Sequence, residues 1–491
     1  MPYKHGIKIS EVPTSLATPV TSVSGLQVVF GTAPINLADN PYQATNKLIL
    51  AHSMAEAVAA LGYSDDYENY TLCQSMDICF KLFNVAPVIF CNVLDPAVHK
   101  ATVSATDCTV ANRQATLSVK GMLLDTVVVA VGETTLTETT HYVASFDENG
   151  HVVINFTAAG ITALNSATTV KVSGTKIDPT AVTATDIIGG VDVSTGVETG
   201  LELIRKVYPK FNLFPGFIIA PGWSQKSAVG AAMAAKCVEI NGLFTSECIL
   251  DISASSADSG ATKYTDVETA KNTLNYNSKH SIVVWPMALY NNKKVYLSAV
   301  VAALMAAADA ENDNVPSMSP SNKALHIAGT VLADGTEVNL DEPQANTLNG
   351  IGVVTAININ GWKAWGNNMA CYPEFTDPKD RWIHSRRFFS WQGNTFIVTY
   401  FDKVDDYSNY RLIESIVDEE NIRGNSLVAQ GKVAGMRMEY NVDENPTTAL
   451  LDGRIKFHQY LAPFIPAEYI ENVLEFSPSM LESALAGGEE E

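Results

Sequence analysis

Along residues 194–359, short apolar runs alternate with segments of helical spacing, and this alternation constrains the fold more than any other feature. Residues 199–207, 225–240 and 295–308 read as helices, and a fourth is expected from about 265 to 277. Residues 217–220, 248–252, 281–285 and 350–359 read as strands with no polar alternation. Strands buried on both faces and separated by helices need crossover connections, hence a largely parallel sheet. Residues 21–97 share this character. A strand is expected at 26–30 and another at 87–94, with helical spacing at Leu72, Met76, Cys79, Phe80 and Phe83. Ser53 with Glu56, and Thr265 with Glu268, have the spacing of capping boxes, in which a hydroxyl and a carboxylate satisfy the free amides of a helix start.

Between these two stretches the composition changes. Residues 98–187 are rich in Thr and Ser and read as short strands punctuated by Gly132, Asn149-Gly150 and Gly174. They are expected to form an inserted all-β sandwich. Residues 361–463 differ again, holding Trp362, Trp365, Trp382 and Trp391. Helices are expected there at about 381–401 and 408–422, and strands at 435–441 and 454–460. Each terminus carries a strand pattern with no nearby partner. The first is Gly6, Ile7, Lys8, Ile9, Ser10, Glu11 and Val12, and the second is Ile470, Glu471, Asn472, Val473, Leu474, Glu475 and Phe476. An orphan strand pairs with something distant or with another chain. Pro13 and Pro19 near one strand, and Pro463 and Pro466 near the other, mark the expected hinges.

The charge balance narrows the function. Basic residues number 32 and acidic ones 53, for a net charge of −21. That excludes a general nucleic-acid binder and disfavours docking on an anionic membrane. Only 17% of residues are charged, so partners are expected to cover part of the surface. The apolar run at 297–308 is too short to span a bilayer, and residues 1–13 lack the apolar core of a secretory leader. The seven cysteines form no CxxC and are expected as reduced core thiols.

Motifs for covalent chemistry are weak. Gly350 and Gly352 begin a dinucleotide-type loop, but Thr355 stands where its third glycine belongs. There is no phosphate-loop motif, no GxSxG and no HExxH, so neither cofactor nor metal is expected. Asp251 and His280 follow apolar strands and could supply two parts of a hydrolase triad, without a motif serine to complete it. Lys379, Arg381, Arg386 and Arg387 form the one basic cluster of note, read either as a solvated face or as a contact for an acidic protein.

Three segments carry a family resemblance. Gly361-Trp362-Lys363-Ala364-Trp365-Gly366-Asn367, followed by Arg386-Arg387, resembles the G-aromatic-x-x-W-G-N segment of contractile phage tail sheath proteins. So does the stretch 445–458 (NPTTALLDGRIKFH) with 461–468 (LAPFIPAE), and the opening His5-Gly6-Ile7 with Glu11 is similar to a sheath N-terminus. The resemblance implies a structural, non-enzymatic protein with a subtilisin-like α/β sheath domain, an inserted β-sandwich and an α+β C-terminal domain. It places an N-terminal arm at 1–20, the sheath domain at 21–97 and 188–360, the insert at 98–187, a tube-facing domain at 361–463 and a C-terminal arm at 464–491. It implies hexameric rings of self-associated subunits, stacked helically around an inner tail tube and contracting to drive it through a bacterial envelope. Baseplate and tail terminator proteins are further implied partners, with the virion tail as location and the host cytoplasm as the place of assembly. No nucleic acid, membrane insertion or cofactor is implied. Residues 6–12 and 470–476 become inter-subunit strands, and the basic cluster becomes the tube contact. The alternatives are a hydrolase on the same scaffold using Asp251 and His280, or a self-assembling binding module built on the insert.

Overall fold

The computed structural model describes residues 20–21, 23–407 and 409–485. The expected N-terminal strand, residues 6–12, lies outside them. Apolar runs with no polar alternation form an eight-stranded sheet: β1 (Gln27–Gly31), β2 (Leu48–Ala51), β3 (Val88–Asn92), β4 (Phe217–Ile219), β5 (Glu247–Asp251), β6 (Ser281–Val284), β7 (Val353–Asn358) and β8 (Trp362–Trp365). Their order is β8-β7-β6-β5-β4-β1-β3-β2. The six inner strands run parallel, and the two edge strands, β8 and β2, pair antiparallel. β1, β3 and β5 are buried at every position, as strands covered on both faces must be.

The helices supply that cover. Ser53 caps α1 (Met54–Leu61) by accepting from Glu56 N at 3.3 Å, while the Glu56 carboxylate accepts from His52 N at 2.8 Å. The second capping signal does not act as expected. Tyr264–Asp266 forms a 3₁₀ turn leading into α2 (Val267–Leu274), and the Thr265 hydroxyl bonds Asp266 instead of a helix amide. Helix α3 (Leu297–Glu311) is buried almost throughout, with Val300, Val301, Ala302 and Ala303 fully covered. A helix apolar on every side belongs inside a core, not in a membrane, at this length. Among the described residues no helix is long and apolar enough to cross a membrane. All seven cysteines are buried and unpaired, and burial pushes the Cys73, Cys79 and Cys91 thiols up to about 12.

The Thr-rich stretch folds around a separate core of Leu117, Val129, Tyr142, Val152, Ile154 and Val172. It is β-rich without being purely β. Its seven strands form one continuous antiparallel sheet, because the long strand Lys100–Ala111 pairs with Thr169–Ile177 along most of its length and with Gln114–Leu117 at its end. The buried Tyr142 Oη donates to Val127 O at 3.0 Å. The stretch also holds a helix, Ala158–Leu164, started by Thr157, whose hydroxyl accepts from Gly160 N. Entry and exit lie side by side, since Lys100 pairs with Ile177. His99 closes the neck: its backbone oxygen accepts from Asp178 N and its Nδ1 from Asp95 N, both at 2.9 Å.

Adjacent ends, and a body core that takes in only Leu123 of residues 101–176, predict that this unit can be removed. Replacing residues 101–176 by a short Gly/Ser turn is expected to leave a soluble body whose cooperative unfolding, followed by circular dichroism, shifts by less than about 5 °C. Loss of the cooperative transition would contradict the separation of the two cores.

Candidate functional site

The C-terminal third builds a platform on the body. Helix α4 (Ile383–Tyr400) presents Arg387, Ser390 and Asn394 on one face, at spacings of three and four residues. Each bonds the body near the start of β5. Arg387 donates to both carboxylate oxygens of Asp309 on α3, one at 3.0 Å, with its guanidinium 4.3 Å from the centre of the Phe217 ring. Ser390 donates to Glu247 at 2.6 Å, and Asn394 exchanges two bonds with the Thr245 backbone. Helix α5 (Tyr410–Ala429) adds a second polar node in Glu420, fully buried. Its carboxylate accepts from Gln392 at 2.8 Å, Arg423 at 2.7 Å and Gln459 at 2.9 Å, tying α4, α5 and the following ribbon together.

That ribbon has two antiparallel strands, β9 (Gly435–Glu439) and β10 (His458–Ala462), the second shorter than the expected 454–460 run and displaced towards the C-terminus. Its two edges differ. Asn421 of α5 bonds both backbone groups of Met438, accepting from N at 2.8 Å and donating to O at 3.1 Å. Gly424 lies so close to the neighbouring Met436 O that a Cβ there would stand 2.6 Å from it. Helix α5 therefore covers the β9 edge. Ala434, just before β9, also donates to Ala462 O at 2.8 Å; no other described residue beyond β9 bonds the β10 backbone, so its outer edge carries free amides and carbonyls.

The chain then leaves the ribbon. The expected strand Ile470–Glu471–Asn472–Val473–Leu474–Glu475–Phe476 has no strand partner among the described residues. Ile470, Val473, Leu474 and Phe476 are exposed, Leu474 by 88%. Helix α6 (Pro478–Leu485) follows, with proline in its first turn, where a missing amide costs nothing. An exposed unpaired apolar segment and an open strand edge occur in one chain.

The basic cluster takes another role. Arg387 is 3% exposed and Asp309 1%, so Arg387 presents no charge to a partner; its distant acid, 78 residues away, was invisible to local spacing. Lys379 and Arg386 both pair with Asp380, and Arg381 with Glu468 at 2.8 Å. Arg387 is thereby removed from any contact surface, whereas Lys379, Arg381 and Arg386 stay partly exposed beside their acids. His384, unremarked in the sequence, is 2% exposed beside them. Its Nε2 donates to the Phe464 carbonyl at 2.9 Å, which leaves Nδ1 to accept from the Asn367 amide at 2.9 Å. Burial holds its pKa below the ordinary histidine range; the Phe464 carbonyl opposes that shift and the Arg387 charge adds to it.

The hydrolase pieces stay apart. Asp251 ends β5, whereas His280 precedes β6 beside Glu247 at the other end of β5, about 13 Å along the strand. Asp251 is instead the cap of α3, accepting from Ser298 N at 3.0 Å, Ser298 Oγ at 2.5 Å and Ser224 Oγ at 3.0 Å. Burial pushes its carboxyl up to about 6. Among the described residues no group of His, Cys, Asp and Glu could hold a metal ion.

No protein-family model matches the chain. A tail sheath protein of Burkholderia phage BcepMu is 27% identical over 486 residues, covering 94% of each chain. A prophage major tail sheath protein of Pseudomonas aeruginosa is 27% identical over 296 residues, 58% of this chain and 70% of that one. The chain is a homologue of phage tail sheath proteins. The fold agrees. A chain of the anti-feeding prophage baseplate matches 97% of it at a TM-score of 0.57 and 13% identity, covering 99% of that chain. A chain of the contracted PVC sheath complex, an extracellular contractile injection system, matches 98% at 0.54 and 15% identity, again covering 99% of the other chain. The homologues are structural proteins, and the hydrolase alternative has no support.

Two outcomes test the site. Arg387→Ala strands Asp309 in the core and is expected to cost about 3–5 kcal/mol by urea unfolding, whereas Arg387→Met with Asp309→Leu recovers most of it. A loss under 1 kcal/mol would contradict the pairing. Separately, the native state keeps His384 neutral while the unfolded chain takes up a proton below about pH 6.5. The stability that His384 gives is therefore present above that pH and lost as pH falls through its lowered native value. The gap in unfolding free energy between the protein and His384→Gln is expected to shrink from pH 7 to pH 5; a gap independent of pH would contradict this.

Proposed function

We propose that this sheath homologue works by strand addition between copies: an extended segment of one subunit pairs with the open β10 edge of another. The observation that carries this reading is the asymmetry of the ribbon, closed by Asn421 on β9 and open on β10, in a chain with an unpaired apolar segment at 470–476. Backbone pairing tolerates sequence change and supplies affinity along a free edge. Residues 6–12 are proposed as the second such strand. A subunit joined to its neighbours by strands on tethers can rotate without losing them, as a lattice that shortens and widens requires.

In this reading the subunits form hexameric rings, stacked helically around an inner tube, and contraction drives the tube through a bacterial envelope. Baseplate, tube and tail terminator proteins are the proposed partners, the virion tail the location and the host cytoplasm the place of assembly. Residues 21–97 and 188–360 are read as a subtilisin-like sheath domain, which the six parallel strands and buried α3 support. Residues 98–187 form the outward insert, 361–463 the tube-facing domain, and 1–20 and 464–491 the arms. Energy for contraction comes from the lattice, as a bistable assembly shifts to its favoured state.

Leu461→Pro tests the edge. Leu461 lies in β10 opposite Met436, whose neighbour Met438 turns its amide away from the ribbon, so the Leu461 amide faces outward by the same alternation. Proline there removes an outward donor and spares the ladder to β9. The variant is expected to remain a folded monomer and to form no cylinders in negative-stain electron microscopy, where the unaltered chain does. Cylinders of normal length from the folded variant would contradict strand addition on β10.

A further inference from the structure

The C-terminal segment is not free from the end of β10 onward. Two side chains on the start of the platform hold its first residues. His384 Nε2 donates to Phe464 O at 2.9 Å, and Arg381 Nη2 donates to Glu468 Oε2 at 2.8 Å. Both holders are fixed. Arg381 lies over the Trp382 ring at 3.9 Å and the Tyr372 ring at 4.4 Å, and its Nε donates to Asn368 at 3.0 Å. Asn368 is tied in turn to Asn349 O at 3.0 Å. His384 is oriented by Asn367 on its other nitrogen. Between the two contacts, Pro466 and Ala467 form part of the wall of a groove that also includes Trp365 and Trp382. Among the described residues no hydrogen bond joins residues 469–476 to the body, and Tyr469 is 81% exposed.

We propose that Arg381 and His384 are positioning residues that clamp the root of the C-terminal arm, so that its pivot lies beyond Glu468 and not at Pro463 and Pro466. The clamp shortens the swinging part. At about 3.3 Å per extended residue, an arm free from residue 463 sweeps a radius of about 46 Å up to residue 476, and one free from 469 sweeps about 26 Å. The smaller volume raises the local concentration of the pairing segment about fivefold at sites within its reach. It also aims the segment before any partner arrives, which lowers the ordering cost of association. Of the basic cluster, Arg381 is the residue that acts on assembly through the arm. The assembly half of this inference rests on strand addition; the clamp itself does not.

The seven native cysteines are buried, so a single introduced cysteine can carry a nitroxide label selectively. In the full chain, a label at Ala467→Cys is expected to give a broad, immobilised spectrum, and one at Leu474→Cys a narrow, mobile one. Glu468→Ala, an arm residue outside the core, and His384→Ala should each mobilise the label at 467, with His384→Gln restoring part of the hold through its amide donor. Far-UV circular dichroism should be unchanged for Glu468→Ala. Glu468→Ala should also slow cylinder formation, followed by light scattering, by about fivefold. A label at 467 that is mobile in the unaltered chain, or unmoved by both substitutions, would overturn the clamp. A mobilised arm with an unchanged assembly rate would overturn its positioning role. If the unaltered chain forms no cylinders, strand addition fails, while the label at 467 still decides the clamp.

Discussion

Helix α3 is pinned at both ends by buried carboxylates, and the rest of the structure is organised around it. At its start Asp251 accepts from the Ser298 amide and hydroxyl, where a negative charge also meets the positive end of the helix dipole. At its end Asp309 takes the bidentate Arg387 and the Ser24 hydroxyl, the latter at 2.9 Å. One apolar helix thereby connects the β5 end of the parallel sheet, the N-terminal entry of the chain and the C-terminal platform. A buried ion pair gains less stability than its Coulomb attraction suggests, because both charges lose water. Its geometric demand is strict, however, and a bidentate pair fixes the angle at which α4 leaves the body.

From that fixed helix the consequences run outward. Ser390 and Asn394 extend the same face, so α4 is registered against the sheet along its length. Glu420 transfers that register to α5 and to β10 through Gln459. Asn421 and Gly424, on the next turn, then close the β9 edge. A free sheet edge is a hazard unless it is covered or used. Here one edge is covered by a helix whose position traces back to α3, and the other is left open on an element held just as firmly. Only one edge of the ribbon is therefore open to a further strand.

What was legible in the sequence was what local pattern encodes. The period of apolar residues marked the parallel strands and α3, and the change of composition near residue 98 marked the insert. The strand pattern at 470–476 had no partner nearby, and the structure leaves it unpaired. The failures are long-range. Lys379, Arg381, Arg386 and Arg387 are adjacent in sequence, but the acids that neutralise the two most telling of them are Asp309 and Glu468. Asp251 and His280 both border apolar strands, yet a parallel sheet puts the residue before one strand and the residue ending another at opposite rims. The helix Ala158–Leu164 was too short to outweigh its Thr-rich surroundings. One signal was present and unused: Arg387, Ser390 and Asn394 form a polar stripe at helical spacing beside Ile383 and Phe388, which marks a buried polar seam.

In the proposed assembly β10 is the receiving edge. A cryo-electron microscopy map of the cylinders assembled from the full chain tests it directly. A further strand, contributed by another copy, is expected hydrogen-bonded along the outer edge of β10 while α5 remains on β9. A β10 edge facing solvent in the assembled lattice, or an added strand lying along β9 with Asn421 displaced, would contradict it.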